Sequence, residues 1–438
     1  MLKSITLKNF KSYADATLPL AELTVLLGPN ASGKSNALEA IQLLMWLAEG
    51  RRLDYLLQTM AAPDLVNREI DLRGSPTELA QKAGPVGLGC KLDDGAGRHL
   101  ILEMGLGISE DGLRIVSESL WSSTEGVPLY SIDKPAEAFT NQVLVAYNNF
   151  LRGGKKPVIA AIDQQAIFSQ LTTPARFEER HKRSQEEIPT AASAVQKALE
   201  SILFLDPVPR RMRSFRPKID HKKLHGDGSN LSAVLRYLCN GAGRREDVLG
   251  FVRSLPEQDI VGIDFLEAPQ GEVMVQLHES FGGHRRPVSA RLLSDGTLRV
   301  LAIAAALLSV PEGALVVIEE IDNGVHPARA RALLESIRAV AASRKIRVLL
   351  TTHNPALLDA IPVDALPDAV ACYRDPSDGL SRLQRLGDVE AYPELVAQGP
   401  LGQIITRGIL ERVLKNPPTA ESRGKNLQLF FETLEKRS

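Results

Sequence analysis

Little in this 438-residue chain supports a covalent or metal-stapled scaffold. Its three cysteines, Cys90, Cys239 and Cys372, are far apart and form no CxxC or Cys/His cluster. This argues against a disulfide framework or a structural zinc and fits a reducing compartment. Net charge is nearly absent, at −1, so no overall basic field draws the chain to nucleic acid, and any such contact has to come from a local patch. No uncharged run reaches the ~20 residues that span a bilayer. The start, MLKSITLKNFKSYADATL, alternates like a strand and lacks the apolar core of a signal peptide. Sustained heptads and internal repeats are not visible either, which excludes a long coiled-coil arm. The reading at this point is a soluble, cytoplasmic protein with no membrane segment. Apolar residues at 44% supply a large core, and the length suits two or three units.

Against this plain background one stretch stands out, LTVLLGPNASGKSNALEAIQLL (Leu23–Leu44). A β-like run, Leu23–Leu27, leads into Gly28, Pro29, Asn30, Ala31, Ser32, Gly33, Lys34 and Ser35, which fit G-x-x-x-x-G-K-[ST]. The segment Lys34–Leu47 then carries Leu38, Ile41, Leu44 and Met45 at helical spacing, and Asn36 in its first turn is counted with the loop. Glycines let backbone N–H groups turn inward on phosphate oxygens, and the helix N-terminus adds its positive end. Lys34 is placed on the β/γ-phosphates and Ser35 on Mg²⁺, with Asn30 and Ser32 supporting the loop. The reading is a nucleoside triphosphate site.

Hydrolysis needs an acid, and the apolar run Ala314–Ile318 ends in Glu319-Glu320. Carboxylates at the C-terminal edge of a buried strand lie where open α/β sheets bind ligands. Glu319 is assigned to the metal and Glu320 to the attacking water. A second apolar run, Ile346–Thr351, leads to His353, whose neutral imidazole can hydrogen-bond the γ-phosphate or the water. Ser294, Asp295 and Gly296 precede an apolar helix, Thr297–Leu308. Taken alone they are an ordinary N-cap.

Around these pieces, β-like runs at Val86–Leu92, His99–Ile108 and Leu113–Trp121 read as a meander. Helix–strand alternation after Arg291, with a helix at Ala328–Ala342 and strands at Ala369–Tyr373 and Ser381–Leu386, predicts a largely parallel sheet. Four segments are expected: 1–121 with the phosphate loop, a mixed and largely helical insertion at 122–286, a second lobe at 287–390, and a helical tail at 391–438. The insertion contains PRRMRSFRPKIDHKK (Pro209–Lys223), with seven Lys/Arg. Its Arg210–Lys223 stretch is a candidate nucleic-acid surface, the alternatives being a partner's acids or plain solvated surface. His225, just beyond, reads as structural.

Together, LKSITLKNFKSY, GPNASGKSN, LSDGTLR, LVVIEEIDNGVHP and LLTTHNP resemble the SMC/RecF branch of ABC ATPases, most of all the ATPase part of overcoming-lysogenization-defect (OLD) proteins. The resemblance covers roughly 1–120 and 285–390. It implies a two-lobed α/β head in which ATP and Mg²⁺ sit between the Gly28–Ser35 loop of one copy and the Ser294–Gly296 loop of another. Two heads at least are then joined by nucleotide. Lys11 and Ser12 match positions that approach the nucleotide, and Asp322 and Asn323 a loop that faces across the dimer. In departure from the family, Glu319 stands for the usual Asp, and Asp295 for the Gly of transporter-type members. No residue is assigned to the glutamine-bearing loop, and no Toprim nuclease module is seen. The functions implied are an ATP-hydrolysing switch acting on a separate effector, such as a nuclease, in anti-phage defence, or a RecF-like DNA-binding clamp in repair. A scaffold that binds ATP with little turnover is the third reading.

Overall fold

The computed structural model describes residues 1–61, 70, 72–95, 97–109, 112–135, 140–221, 223–253, 260–281, 284–322 and 330–416. Among the described residues eighteen strands form three sheets. The first sheet holds β1 (Leu2–Phe10), β2 (Tyr13–Pro19), β4 (Val86–Asp93), β5 (His99–Ser109), β6 (Gly112–Ser122), β7 (Tyr130–Lys134), β8 (Gln142–Tyr147) and β9 (Val158–Ile162), in the order β2-β1-β4-β5-β6-β7-β8-β9. All its pairings are antiparallel. Period-two alternation of buried and exposed residues, as along β6 and β8, marks a sheet with only one face on the core.

The second sheet carries the phosphate loop. It comprises β3 (Leu23–Leu27), β10 (Leu203–Leu205), β15 (Leu315–Ile318), β16 (Arg347–Thr351), β17 (Val370–Arg374) and β18 (Ser381–Arg385), in the order β10-β15-β16-β3-β17-β18. It is parallel except where β18 returns against β17. Strands β3, β15 and β16 are buried at every residue, which explains their continuous apolar sequences. Side chains alternate between two cores. Val25, Val316, Ile318 and Leu350 join the cluster formed with the helix Asp295–Ser309 and the C-terminal helices. Leu26, Leu315, Val317 and Leu349 join the cluster formed with the helix Lys34–Ala48 and the first sheet. The helix after the phosphate loop and the helix after Ser294 therefore flank opposite faces of one sheet.

The third sheet is built from β11 (Arg216–Pro217), β12 (Ile260–Glu267), β13 (Glu272–Phe281) and β14 (His284–Ser289), all meeting on β13. The segment 122–286 thus differs from a largely helical insertion. Its β7–β9 extend the first sheet, its helix Lys182–Glu200 packs on Lys34–Ala48, and its β10 becomes an edge of the phosphate-loop sheet. These strands are short or broken by charged residues, as in Tyr130–Lys134 (YSIDK), and alternation over so few residues gives little signal. The tail begins as the helices Tyr392–Ala397, Leu401–Thr406 and Ile409–Lys415. The rest of the expected helical tail lies outside the described residues, as does Asn323.

Candidate active site

The phosphate loop is held by contacts that its own sequence does not contain. Gly28 has φ +149°, and a Cβ there would lie 2.1 Å from the carbonyl oxygen of Cys372 on β17. Gly33 has φ +118°, and its Cβ would lie 2.4 Å from Ser381 Oγ and 3.0 Å from Ser12 Oγ. Only glycine permits both the dihedral and the approach. Beneath the loop, Ser381 Oγ donates to Ser32 O at 2.5 Å and lies within hydrogen-bond distance of Ser12 Oγ, at 2.8 Å. Tyr13 donates its hydroxyl to Gly33 O at 3.0 Å, and Asn36 Nδ2 donates to Ser12 Oγ at 2.8 Å. Above it, Arg374 Nε donates to Ala31 O at 3.1 Å. Burial pushes the Cys372 thiol up, so it acts as a neutral wall beside Tyr13 and Ser32 O.

Lys34 is buried and donates to Gly28 O at 2.6 Å and Pro29 O at 2.9 Å. Burial draws its ammonium below the ordinary lysine range, while Cys372 and Glu320 act in the opposite direction. Glu320 is thus within electrostatic reach of the phosphate-loop lysine. It sits just past β15 with φ +46°, a left-handed conformation that non-glycine residues seldom adopt. Its N–H donates to Thr351 Oγ1 at 3.0 Å, which fastens the acid's backbone to β16. Strain of this kind persists where surroundings overdetermine it, as at functional sites. Glu319 follows Ile318 directly, with its N–H on Leu205 O at 3.4 Å. Thr352 Oγ1 donates to Asp322 at 2.7 Å and accepts from Asn354 N–H at 3.1 Å, shaping the turn that displays exposed His353. His353 shares a cavity of about 320 Å³ with Gly28, Pro29 and Asn30, closed on its far side by Ile405, Leu410 and Leu414.

The donor set was tested against Mg²⁺ and triphosphate. Ser32 Oγ is a buried oxygen with no protein partner, inside the loop that leads into the helix Lys34–Ala48. The exposed hydroxyl of Ser35 and the carboxylate of Glu319 are hard oxygen donors of the kind Mg²⁺ takes alongside phosphate and water. Among the described residues no cluster of three or more His, Cys, Asp or Glu stands ready for a metal. The residues fit a cation held largely by nucleotide rather than by an all-protein cage.

Two expected contacts look different in place. Lys11 Nζ is ion-paired with buried Glu39 and donates to Arg73 O at 2.7 Å, while Arg73 Nε meets the same carboxylate at 2.5 Å. Lys11, Ser12, Asn36, Arg73 and Arg374 line an open basin beside the phosphate loop. Ser294 caps its helix, its Oγ accepting from Thr297 N–H at 3.1 Å, and Asp295 is paired with Arg213 at 2.6 Å. No described cavity or hydrogen bond joins Ser294, Asp295 or Gly296 to the phosphate loop of the same chain, whereas His353 shares a cavity with it. Three of the seven cations of the basic stretch are paired with acids. Arg211 pairs with Asp227 at 2.7 Å, Arg213 with Asp295, and Lys218 with Glu267 at 2.7 Å. His225 bonds Ser229 Oγ at 3.0 Å within its own loop.

Ser381, Tyr13, Cys372, Glu39 and Arg213 escape a reading of the sequence. Each acts through a contact distant in the chain, and none carries a local pattern.

Two family profiles match the chain. Residues 147–359 match the family described as "AAA domain, putative AbiEii toxin, Type IV TA system", and residues 1–73 match "AAA ATPase domain". The chain is 41% identical over 105 residues to the DNA replication and repair protein RecF of Gloeobacter violaceus, covering 24% of each chain. It is 44% identical over 80 residues to the chromosome partition protein Smc of Synechococcus, covering 17% of this chain and 6% of that one. With the OLD nuclease of Thermus scotoductus it shares 47% over 45 residues, 10% of this chain and 8% of that one. These matches span at most 24% of those relatives' lengths. Among solved structures, an Smc head bound to the C-winged helix domain of ScpA aligns with TM-score 0.47 and 13% identity, over 87% of this chain and 96% of that one. The SMC head domain from Thermotoga maritima aligns with TM-score 0.40 and 15% identity, over 88% and 98%. Over these segments the chain is similar to RecF, to Smc and to an OLD nuclease, and both of its profile matches are to AAA-type domains. Among its described residues no helix is long and apolar enough to cross a membrane.

Proposed function

We propose that the chain hydrolyses ATP in a site completed by a second copy, and that this association is a switch for a separate effector. The observation that carries the reading is the separation of parts. Lys34 belongs to the phosphate loop and His353 shares a cavity with it, whereas no described hydrogen bond or cavity joins the Ser294–Gly296 helix start to that loop within the same chain. A helix N-terminus with free N–H groups is suited to an anion, and Leu292 beside it is 70% exposed, as befits a surface that another molecule covers.

In this scheme the backbone N–H groups of Gly28–Ser35 wrap the phosphates. Lys34 exchanges its bonds to Gly28 O and Pro29 O for β/γ oxygens. Glu320, held by Thr351, accepts a proton from the attacking water, and His353 orients that water or the γ-phosphate. Ser35 and Glu319 are the groups that would hold Mg²⁺, which neutralises charge on the phosphates when bound. The Ser294–Gly296 loop of the partner copy closes over the γ-phosphate.

The kinship with an OLD nuclease and with a toxin-associated ATPase family favours an effector in anti-phage defence. The similarity to RecF supports the other reading, a DNA clamp, which loses ground because three cations of Arg210–Lys223 are already paired with acids. Glu320→Gln tests the scheme. It is expected to bind ATP, turn it over on the order of 100-fold more slowly, and sediment as a dimer or larger only with ATP. Wild-type turnover in this variant would overturn the assignment of Glu320.

A further inference from the structure

We infer that Arg213 is a positioning residue that neutralises the acid in the Ser294–Gly296 loop, the signature loop of the proposed site, so that the loop can approach a triphosphate. The inference rests on the two-copy site proposed above. A loop that caps a γ-phosphate gains from the N–H groups of its helix start, yet here the first helical residue is Asp295, with its side chain 65% exposed. An uncompensated carboxylate at that place repels the phosphate it should meet.

The structure supplies the compensation from far along the chain. Arg213 donates one Nη to Asp295 Oδ1 at 2.6 Å and to Leu293 O at 2.8 Å, so it binds the loop on both sides of Ser294. Ser294 keeps its own cap on Thr297, leaving the guanidinium free to act on charge and loop placement rather than on helix initiation. Arg213 is itself well fixed. It follows the short helix Pro209–Met212, whose Met212 is buried, and Arg211 two residues earlier is tied to Asp227. That helix continues from β10, whose Leu205 O accepts the N–H of Glu319. One short run of chain, Leu205 to Arg213, therefore links the metal-side acid of one site to the loop that would close the site of the other copy.

The test uses the full-length chain in the Glu320→Gln background with ATP, reading dimer dissociation by sedimentation. Adding Arg213→Ala is expected to weaken ATP-dependent association by roughly tenfold or more. Adding Asp295→Asn to that variant is expected to restore it to within about threefold, because the acid that needed neutralising is gone. A merely structural arginine would not be rescued by Asp295→Asn. If Arg213→Ala fails to fold, Arg213→Gln, which can still donate to Leu293 O without charge, carries the same comparison. Association unchanged by Arg213→Ala, or a defect that Asp295→Asn leaves in place, overturns the inference alone. A Glu320→Gln parent that stays monomeric with ATP overturns the two-copy site beneath it.

Discussion

Lys34 stands within its loop in a way that separates binding from folding. Its ammonium rests on two loop carbonyls, so it is satisfied before phosphate arrives and must trade those bonds. Lys34→Ala is expected to leave the fold intact and to lower ATP affinity by at least about 100-fold, read by calorimetric titration. Unchanged affinity would remove it from the site. Gly28 behaves in the opposite way. Gly28→Ala forces a Cβ to within 2.1 Å of Cys372 O at a dihedral that side chains avoid, so loop and strand must part. A stability loss of about 2 kcal/mol or more is expected in denaturant unfolding, together with loss of ATP binding. A variant as stable as the parent would show that the loop does not lean on β17 as described. Lys34 announces itself by spacing, and Glu320 by its place after an apolar run. Ser381 does not, because a serine opening an edge strand looks like any other until β18 is seen under the loop.

At the scale of elements, Glu118 joins three pieces of the first sheet's core. It accepts from Tyr130 Oη at 2.6 Å, Phe168 N–H at 2.7 Å and Ile167 N–H at 2.8 Å, binding β6 to β7 and to the start of the helix Ile167–Gln170. Burial pushes its carboxyl up to about 7, against the pull of those hydrogen bonds. For an acid whose pKa is higher folded than unfolded, the folded state binds the extra proton between the two values. Stability from this group is therefore greatest below the unfolded pKa near 4.5 and falls as pH rises through about 7. The cost above pH 7 is on the order of 3 kcal/mol. Melting temperatures from pH 5 to 8 should fall more steeply in the wild type than in Glu118→Gln; parallel curves would contradict the shift. Elements that carried a strong period were legible in advance: the helix at Lys34, the meander from Val86 to Ser122, and strands β15 and β16. Missed were β7–β9 and β10, which are short, and the third sheet, whose longer strands Ile260–Glu267 and Glu272–Phe281 are interrupted by charged residues. The helix expected at Ala328–Ala342 is described from Ala330 to Arg344.

Over the whole molecule, the phosphate-loop sheet separates two core layers, with the helix after the phosphate loop in one and the helix after Ser294 in the other. Short motifs spaced along the chain disclosed the ATPase class. The distance between them became visible only once the alternation of Leu26 and Leu27, or Val316 and Val317, between two cores was seen. The two-copy site proposed above has a signature in mixing. Lys34→Ala destroys one phosphate loop but keeps its signature loop, and Ser294→Arg does the reverse. Each variant alone should show little ATPase activity. Equimolar mixtures should regain a substantial fraction of wild-type turnover, since a mixed pair contains one intact composite site. A mixture no more active than the sum of its two components would contradict a shared site and confine catalysis to a single copy.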